Sequence, residues 1–71
     1  MTDDQLAEKL KEMYFDPASD KAVSVHLFGI RYADHLDRRS LRDIAERAGI
    51  SPNYGTEIRK GVNLARYVRE K

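Results

Sequence analysis

The chain contains no cysteine, so neither a disulfide nor a thiolate metal site can hold it together. No apolar run approaches the roughly eighteen consecutive residues that a membrane-spanning helix needs. No glycine-rich phosphate loop, nucleophile elbow or paired-carboxylate arrangement is present. The two histidines, His26 and His35, stand nine residues apart with no further ligand at zinc spacing, and His26 is expected against the bundle. The start, Met1-Thr2-Asp3-Asp4, is acidic and lacks the apolar core of a secretory signal. These absences set the expectation of a cytoplasmic, non-enzymatic domain with no cofactor, no metal, no small-molecule substrate and no membrane partner. Seventy-one residues are enough for one domain, 1–71, around a single modest core.

The charge is unevenly spread. A net charge of +1 hides four Lys/Arg against eight Asp/Glu in residues 1–37, and nine against four in residues 38–71. An acidic half is followed by a basic half, and a basic half attracts phosphate even when the whole chain is near neutral.

Periodicity and caps predict an all-α fold, a small bundle of four to five helices. The first helix is expected over about Thr2–Phe15: Thr2 and Gln5 stand at capping-box spacing, Leu6, Leu10, Met13 and Tyr14 form one stripe, and Phe15-Asp16-Pro17 ends it. The second is expected over about Ser19–Leu36, capped by Ser19 or by Asp16. It carries two neighbouring stripes, Val23, Leu27, Ile30, Ala33 and Val25, Phe28, Tyr32, Leu36, so it is read as a central helix touched on two sides. Gly29 in its middle permits close approach of a neighbour. Val23 to Leu27 also alternates like a strand, but a lone strand has no partner, which favours helix.

After the charged linker Asp37-Arg38-Arg39, Ser40 caps a third helix, Leu41–Ala48, with Leu41, Ile44, Ala45 and Ala48 turned inward. Gly49 suits the left-handed position that ends helices, Ile50 turns inward, and Ser51-Pro52 opens a fourth helix running to about Lys60 and stopping at Gly61. A short last helix is expected over Leu64–Arg69, capped by Asn63.

Residues 40–61 carry the functional signal. Two helices joined by so short a turn cross steeply, which needs a small residue at the crossing (Ala45), a residue tolerant of positive φ (Gly49) and apolar anchors beyond it (Ile50, Ile58). That spacing matches a helix-turn-helix. The stretch Ser40-Leu41-Arg42-Asp43-Ile44-Ala45-Glu46-Arg47-Ala48-Gly49-Ile50-Ser51 onward to Gly61 resembles the motif of phage-repressor and Cro-type regulators over about 22 residues. Three features depart from that family. Gly55 stands where a larger apolar residue is usual, Arg59 where an acid is common, and two predicted helices precede the motif instead of one. They point to a separate small bacterial helix-turn-helix-like family.

The resemblance implies a DNA-binding module, a transcriptional regulator or DNA-targeting domain whose recognition helix, about Pro52–Lys60, enters the major groove of double-stranded DNA. By it, Ser51, Asn53, Tyr54 and Thr56 lie at the start of that helix. Arg59 and Lys60 near its end read either as phosphate contacts or as compensation of the helix dipole. Tyr54 stays open between core and phosphate contact. Arg42 and Arg47 sit on the helix that crosses the backbone, with Arg38 and Arg39 nearby. Glu57 is expected to pair with Lys60. A homodimer on two half-sites would supply the contacts that one small domain lacks. The competing reading is an adaptor with the same helical fold that binds protein and not DNA.

Overall fold

A computed structural model describes residues 1–67 of the chain. Among these residues there are five helices and no strand: α1 (Asp3–Tyr14), α2 (Lys21–Arg31), α3 (Ala33–Leu36), α4 (Leu41–Arg47) and α5 (Tyr54–Leu64). The all-α expectation holds, and the alternating stretch Val23–Leu27 is helical. None of these helices is long and apolar enough to cross a membrane.

The caps explain most boundaries. Thr2 and Gln5 form a full capping box: Thr2 Oγ1 accepts the Gln5 N–H at 3.1 Å, and Gln5 Oε1 accepts the Thr2 N–H at 2.8 Å. α2 is capped by Asp20, not by Ser19 or Asp16. Its carboxylate accepts the N–H groups of Ala22 and Val23 at 2.9 and 3.2 Å, and an acid there also meets the positive end of the helix dipole. Asp16 instead folds the preceding turn by accepting the Ala18 N–H.

The expected long second helix is broken. Tyr32, at φ −107° and ψ 20°, ends α2, and the single turn of α3 follows it. Leu36, on α3 beyond the break, is fully buried in the core. Of the two stripes read on this segment, only that of Val25, Phe28 and Leu36 is core. Val23 is 53% exposed, and Leu27 and Ile30 are half-buried, so the helix is not enclosed on both sides.

The turn after α4 is a Schellman motif. Gly49 has φ 82°, its N–H reaches the Glu46 carbonyl at 3.0 Å, and the Ile50 N–H reaches the Ala45 carbonyl at 3.1 Å. Ile50 is thereby turned inward, 8% exposed. A Cβ on Gly49 would meet nothing within 4 Å, so the position demands glycine for its backbone and not for space. Gly49→Val is expected to cost about 1–2 kcal/mol, with Gly49→Asn costing less because asparagine tolerates the left-handed region. Equal melting temperatures for the two variants would contradict this. Arg38, at φ 67°, also lies in the left-handed region, in the turn before α4.

α5 differs from expectation at both ends. Its helical geometry begins at Tyr54, after a tight turn in which Ser51 Oγ accepts the Asn53 N–H at 3.2 Å and the Ser51 carbonyl accepts the Tyr54 N–H at 3.0 Å. Serine followed by proline does start the turn, but the winding is too tight at first to count as α-helix. Gly61 does not stop the helix; α5 runs through it to Leu64. Asn63 therefore lies within α5 and caps nothing, and residues 65–67 are turn. The remainder of the expected last helix, to Arg69, lies outside the described residues.

The reason Gly61 is inside the helix is the crossing of α2 and α5. A Cβ on Gly61 would strike the His26 carbonyl oxygen and lie 3.0 Å from the Gly29 Cα. One on Gly29 would lie 2.5 Å from the Ile58 carbonyl oxygen. The two glycines face each other and let the backbones touch, which is the close approach that Gly29 suggests from sequence. Around this crossing, Leu6, Leu10, Val25, Phe28, Leu36, Ile44 and Ile58 are fully buried in one cluster.

Candidate nucleic-acid interface

α4, the Gly49 turn and α5 are two helices joined by a short turn, over the stretch that the sequence suggests as a helix-turn-helix. Ser40 Oγ accepts the Asp43 N–H at 3.4 Å and opens α4, while Leu41, Ile44, Ala45 and Ala48 bury its inner face. α5 meets α4 where Gly55 backs onto Arg42. A Cβ on Gly55 would stand 3.0 Å from the Arg42 backbone nitrogen. The unusual glycine thus marks a tighter helix contact than a larger apolar residue would allow.

With Gly55, Ile58 and Gly61 buried, the helical period turns Asn53, Thr56 and Lys60 outward together, and all three are exposed. Ser51 is exposed at the entry to the helix, and Arg42 is exposed on α4 behind Gly55. These five of the seven sequence-predicted residues share the outer surface of the motif.

The other two face elsewhere. Tyr54 is half-buried against α1, with its hydroxyl 3.3 Å from that of Tyr14 and the rings edge-on at 5.4 Å. That hydrogen bond, with burial, raises the phenol above its ordinary range. The contact joins α1 to the start of α5. Arg59 is half-buried on the flank toward α3, where it lines a cleft of about 400 Å³ together with Asp34 and Asp37.

Ion pairs redistribute the basic half. Arg39 bonds Asp3 at 2.5 Å and the Met1 carbonyl at 2.6 Å; Arg47 bonds Asp4 at 2.6 Å. The hydrogen bond to Asp4, then its charge, holds Arg47 further in the charged form. Two arginines expected to flank DNA are therefore joined to the acidic first turn of α1. Lys60 pairs with Glu57 at 3.0 Å, as expected, and Glu57 also meets His26 Nε2 at 3.0 Å. Lys60 first, and His26 second, hold the Glu57 carboxyl below its usual range. These are surface pairs, worth little individually. Among the described residues, Arg42 and Arg59 have no ion-pair partner, and no three His, Cys, Asp or Glu side chains are grouped to hold a metal.

Sequence reasoning missed the links from α1 and α2 onto the second half of the chain: Asp3–Arg39, Asp4–Arg47, Tyr14–Tyr54 and His26–Glu57. Each spans more than thirty residues, so no local spacing could reveal it.

Compared with known proteins, the chain matches no curated protein and no solved structure. It does match the model of one family, described as an HTH-like domain, over residues 2–71. That match takes in the motif together with the helices that precede it, and the chain belongs to this HTH-like domain family.

Proposed function

We propose that the domain binds duplex DNA by laying the outer face of α5 in the major groove, with Asn53, Thr56 and Lys60 toward the bases and phosphates and Arg42 on the flanking backbone. The observation that carries this reading is the composition of that face. It has short polar side chains at its start and a cation two turns on, projecting together from a helix-turn-helix. Ser51 stands at the helix entry, within reach of a phosphate. Tyr54 supports the helix from behind, and Arg59, beside Asp34 and Asp37, adds less than its charge suggests. The phage-repressor and Cro likeness of the motif agrees with this role in transcription regulation or DNA targeting.

Because Arg39 and Arg47 are engaged with α1, few cations remain for phosphate. With two or three phosphate contacts, the logarithm of affinity should fall with the logarithm of salt at a slope of about −2 to −3. Titration of labelled duplex at low and moderate salt checks this. Arg42→Ala and Lys60→Ala should each weaken binding to all sequences and flatten the slope by about one unit. Asn53→Ala should relax preference at one base pair, costing about 1–3 kcal/mol there. Absence of binding at low salt and high micromolar protein would sink the DNA reading in favour of the protein adaptor, which the outward apolar face of α2 supports.

A further inference from the structure

One carboxylate joins α2 to the outer face of α5. Glu57 Oε2 pairs with Lys60 Nζ at 3.0 Å, and its other oxygen, Oε1, meets His26 Nε2 at 3.0 Å across the helix crossing. The glycine contact fixes the place. The His26 carbonyl is the atom that a Cβ on Gly61 would strike, and Gly61 lies about one turn beyond Glu57 on α5. The side chains of His26 and Glu57 are 35% and 33% exposed, so solvent protons reach the imidazole. The charged groups that face it come from α5: Glu57 directly, and Lys60 through it. Within α2, Ala22, Val23, Gly29 and Ile30 stand one turn to either side, none of them charged. α1 brings Tyr14 beneath Lys21 and Met13 beside Arg31. On α3, Asp34 lines the cleft with Arg59, and the His35 ring lies 6.4 Å from that of Tyr32.

An ionised carboxylate only accepts hydrogen bonds, and Lys60 first, then His26, hold Glu57 in that form. The hydrogen between the two side chains therefore belongs to His26 Nε2. A proton added to the neutral ring goes to Nδ1, and the contact between Nε2 and Glu57 stays in place. Protonation thus changes the charge of the cluster without rearranging it. While His26 is neutral, Glu57 and Lys60 cancel. Once His26 is charged, the cluster carries one net positive charge.

We propose that His26, Glu57 and Lys60 form a proton-sensitive element of the DNA interface, in which a proton on His26 offsets Glu57 and strengthens the hold of Lys60 on a phosphate. The inference rests on the DNA reading of α5. Lys60 reaches phosphate in either state; what changes is how much of that attraction Glu57 cancels. Few cations stand on this face, because Arg39 and Arg47 are joined to α1, so one added charge is a large share of the total. Linkage makes the effect reciprocal: a bound duplex favours the proton on His26 by the factor with which that proton favours the duplex.

Histidine changes its charge between about pH 5 and about pH 8, and affinity for one labelled duplex is measured at those two values at constant ionic strength. Wild type should bind roughly three- to tenfold tighter at the lower pH. The chain has two histidines, so paired variants assign the effect. His26→Gln, whose amide can still donate to Glu57 but does not ionise, should lose most of the pH response. His35→Gln, on the exposed surface of α3, should keep it. Glu57→Gln removes the charge that the proton offsets, and at the higher pH it should bind about as tightly as wild type does at the lower. Circular dichroism at both pH values checks that each variant is folded. A wild-type affinity that ignores pH, a full pH response in His26→Gln, or a Glu57→Gln protein that binds no tighter than wild type at the higher pH would each overturn the proposal and leave the DNA reading intact. Absence of wild-type binding at both pH values, even at low salt, would refute the DNA reading and the proton-sensitive element with it.

Discussion

Gly61→Val is expected to lower the melting temperature by roughly 10–20 °C, on a loss of about 2–3 kcal/mol. The added Cβ would meet backbone atoms, the His26 carbonyl and the Gly29 Cα, and not the end of a side chain that can swing away. α2 and α5 must then separate, and the core beneath them, with Phe28 and Ile58 fully buried, loses contact along its length. Helix propensity acts in the opposite sense: replacing a helical glycine by alanine gains up to about 1 kcal/mol. Gly61→Ala therefore tests which effect wins, and the backbone contact predicts net destabilisation even there. Asn63→Ala, on the exposed side of the same helix, should be close to neutral. Thermal unfolding by circular dichroism measures all three, and a Gly61→Ala protein more stable than wild type would show that the crossing can open at little cost.

The same glycine marks where local reasoning ends. The two helices α4 and α5 and the turn between them are legible because their determinants are neighbours in sequence: Ser40 caps α4, Gly49 closes the Schellman turn, Ile50 follows it inward, and Ile58 recurs two turns on. Gly61 follows the predicted recognition helix, where a glycine ordinarily ends a helix. Only its partner, Gly29, thirty-two residues earlier, gives it the other meaning of close approach. Tyr32 poses a similar difficulty. Periodicity continues through it to Leu36, which is buried as the stripe predicts, so the pattern holds no signal for the break at Tyr32. The stripe of Val23, Leu27 and Ile30 was visible, but which of two adjacent stripes faces inward depends on where α1 and α5 stand.

For the candidate interface, the residue types were legible and their availability was not. Charge counting gave a basic half. It could not show that Arg39 and Arg47 are bonded to Asp3 and Asp4, since a capping box places those acids for reasons local to α1. Tyr54 has two readings from sequence, and its hydroxyl lies beside that of Tyr14, a contact forty residues away that no local pattern shows. What remains exposed on α5 is a narrower, less cationic face than composition implied. That is why the expected salt slope is shallow.

Ala45→Leu carries the second large expectation, because it acts on fold and function through one contact. Ala45 is fully buried on the inner face of α4, and its carbonyl accepts the Ile50 N–H that closes the turn. Nearby, α5 approaches so closely that a Cβ on Gly55 would stand 3.0 Å from the Arg42 backbone nitrogen. Ala45 is fully buried in the core cluster, so three added carbons there must push its neighbours apart, and a spread of α4 from α5 is expected, at about 1–3 kcal/mol. Spreading also moves Arg42 relative to Thr56 and Lys60, which on the proposed function would reach the same duplex only if α4 and α5 keep their crossing. Duplex affinity measured well below the melting temperature, where the variant is still folded, should therefore fall by roughly tenfold, equivalent to about 1.4 kcal/mol. Gly49→Asn keeps the crossing and should leave that affinity near wild type. An Ala45→Leu protein with an unchanged melting temperature would place the crossing elsewhere. One that is destabilised yet binds duplex normally when folded would separate the α4–α5 angle from recognition.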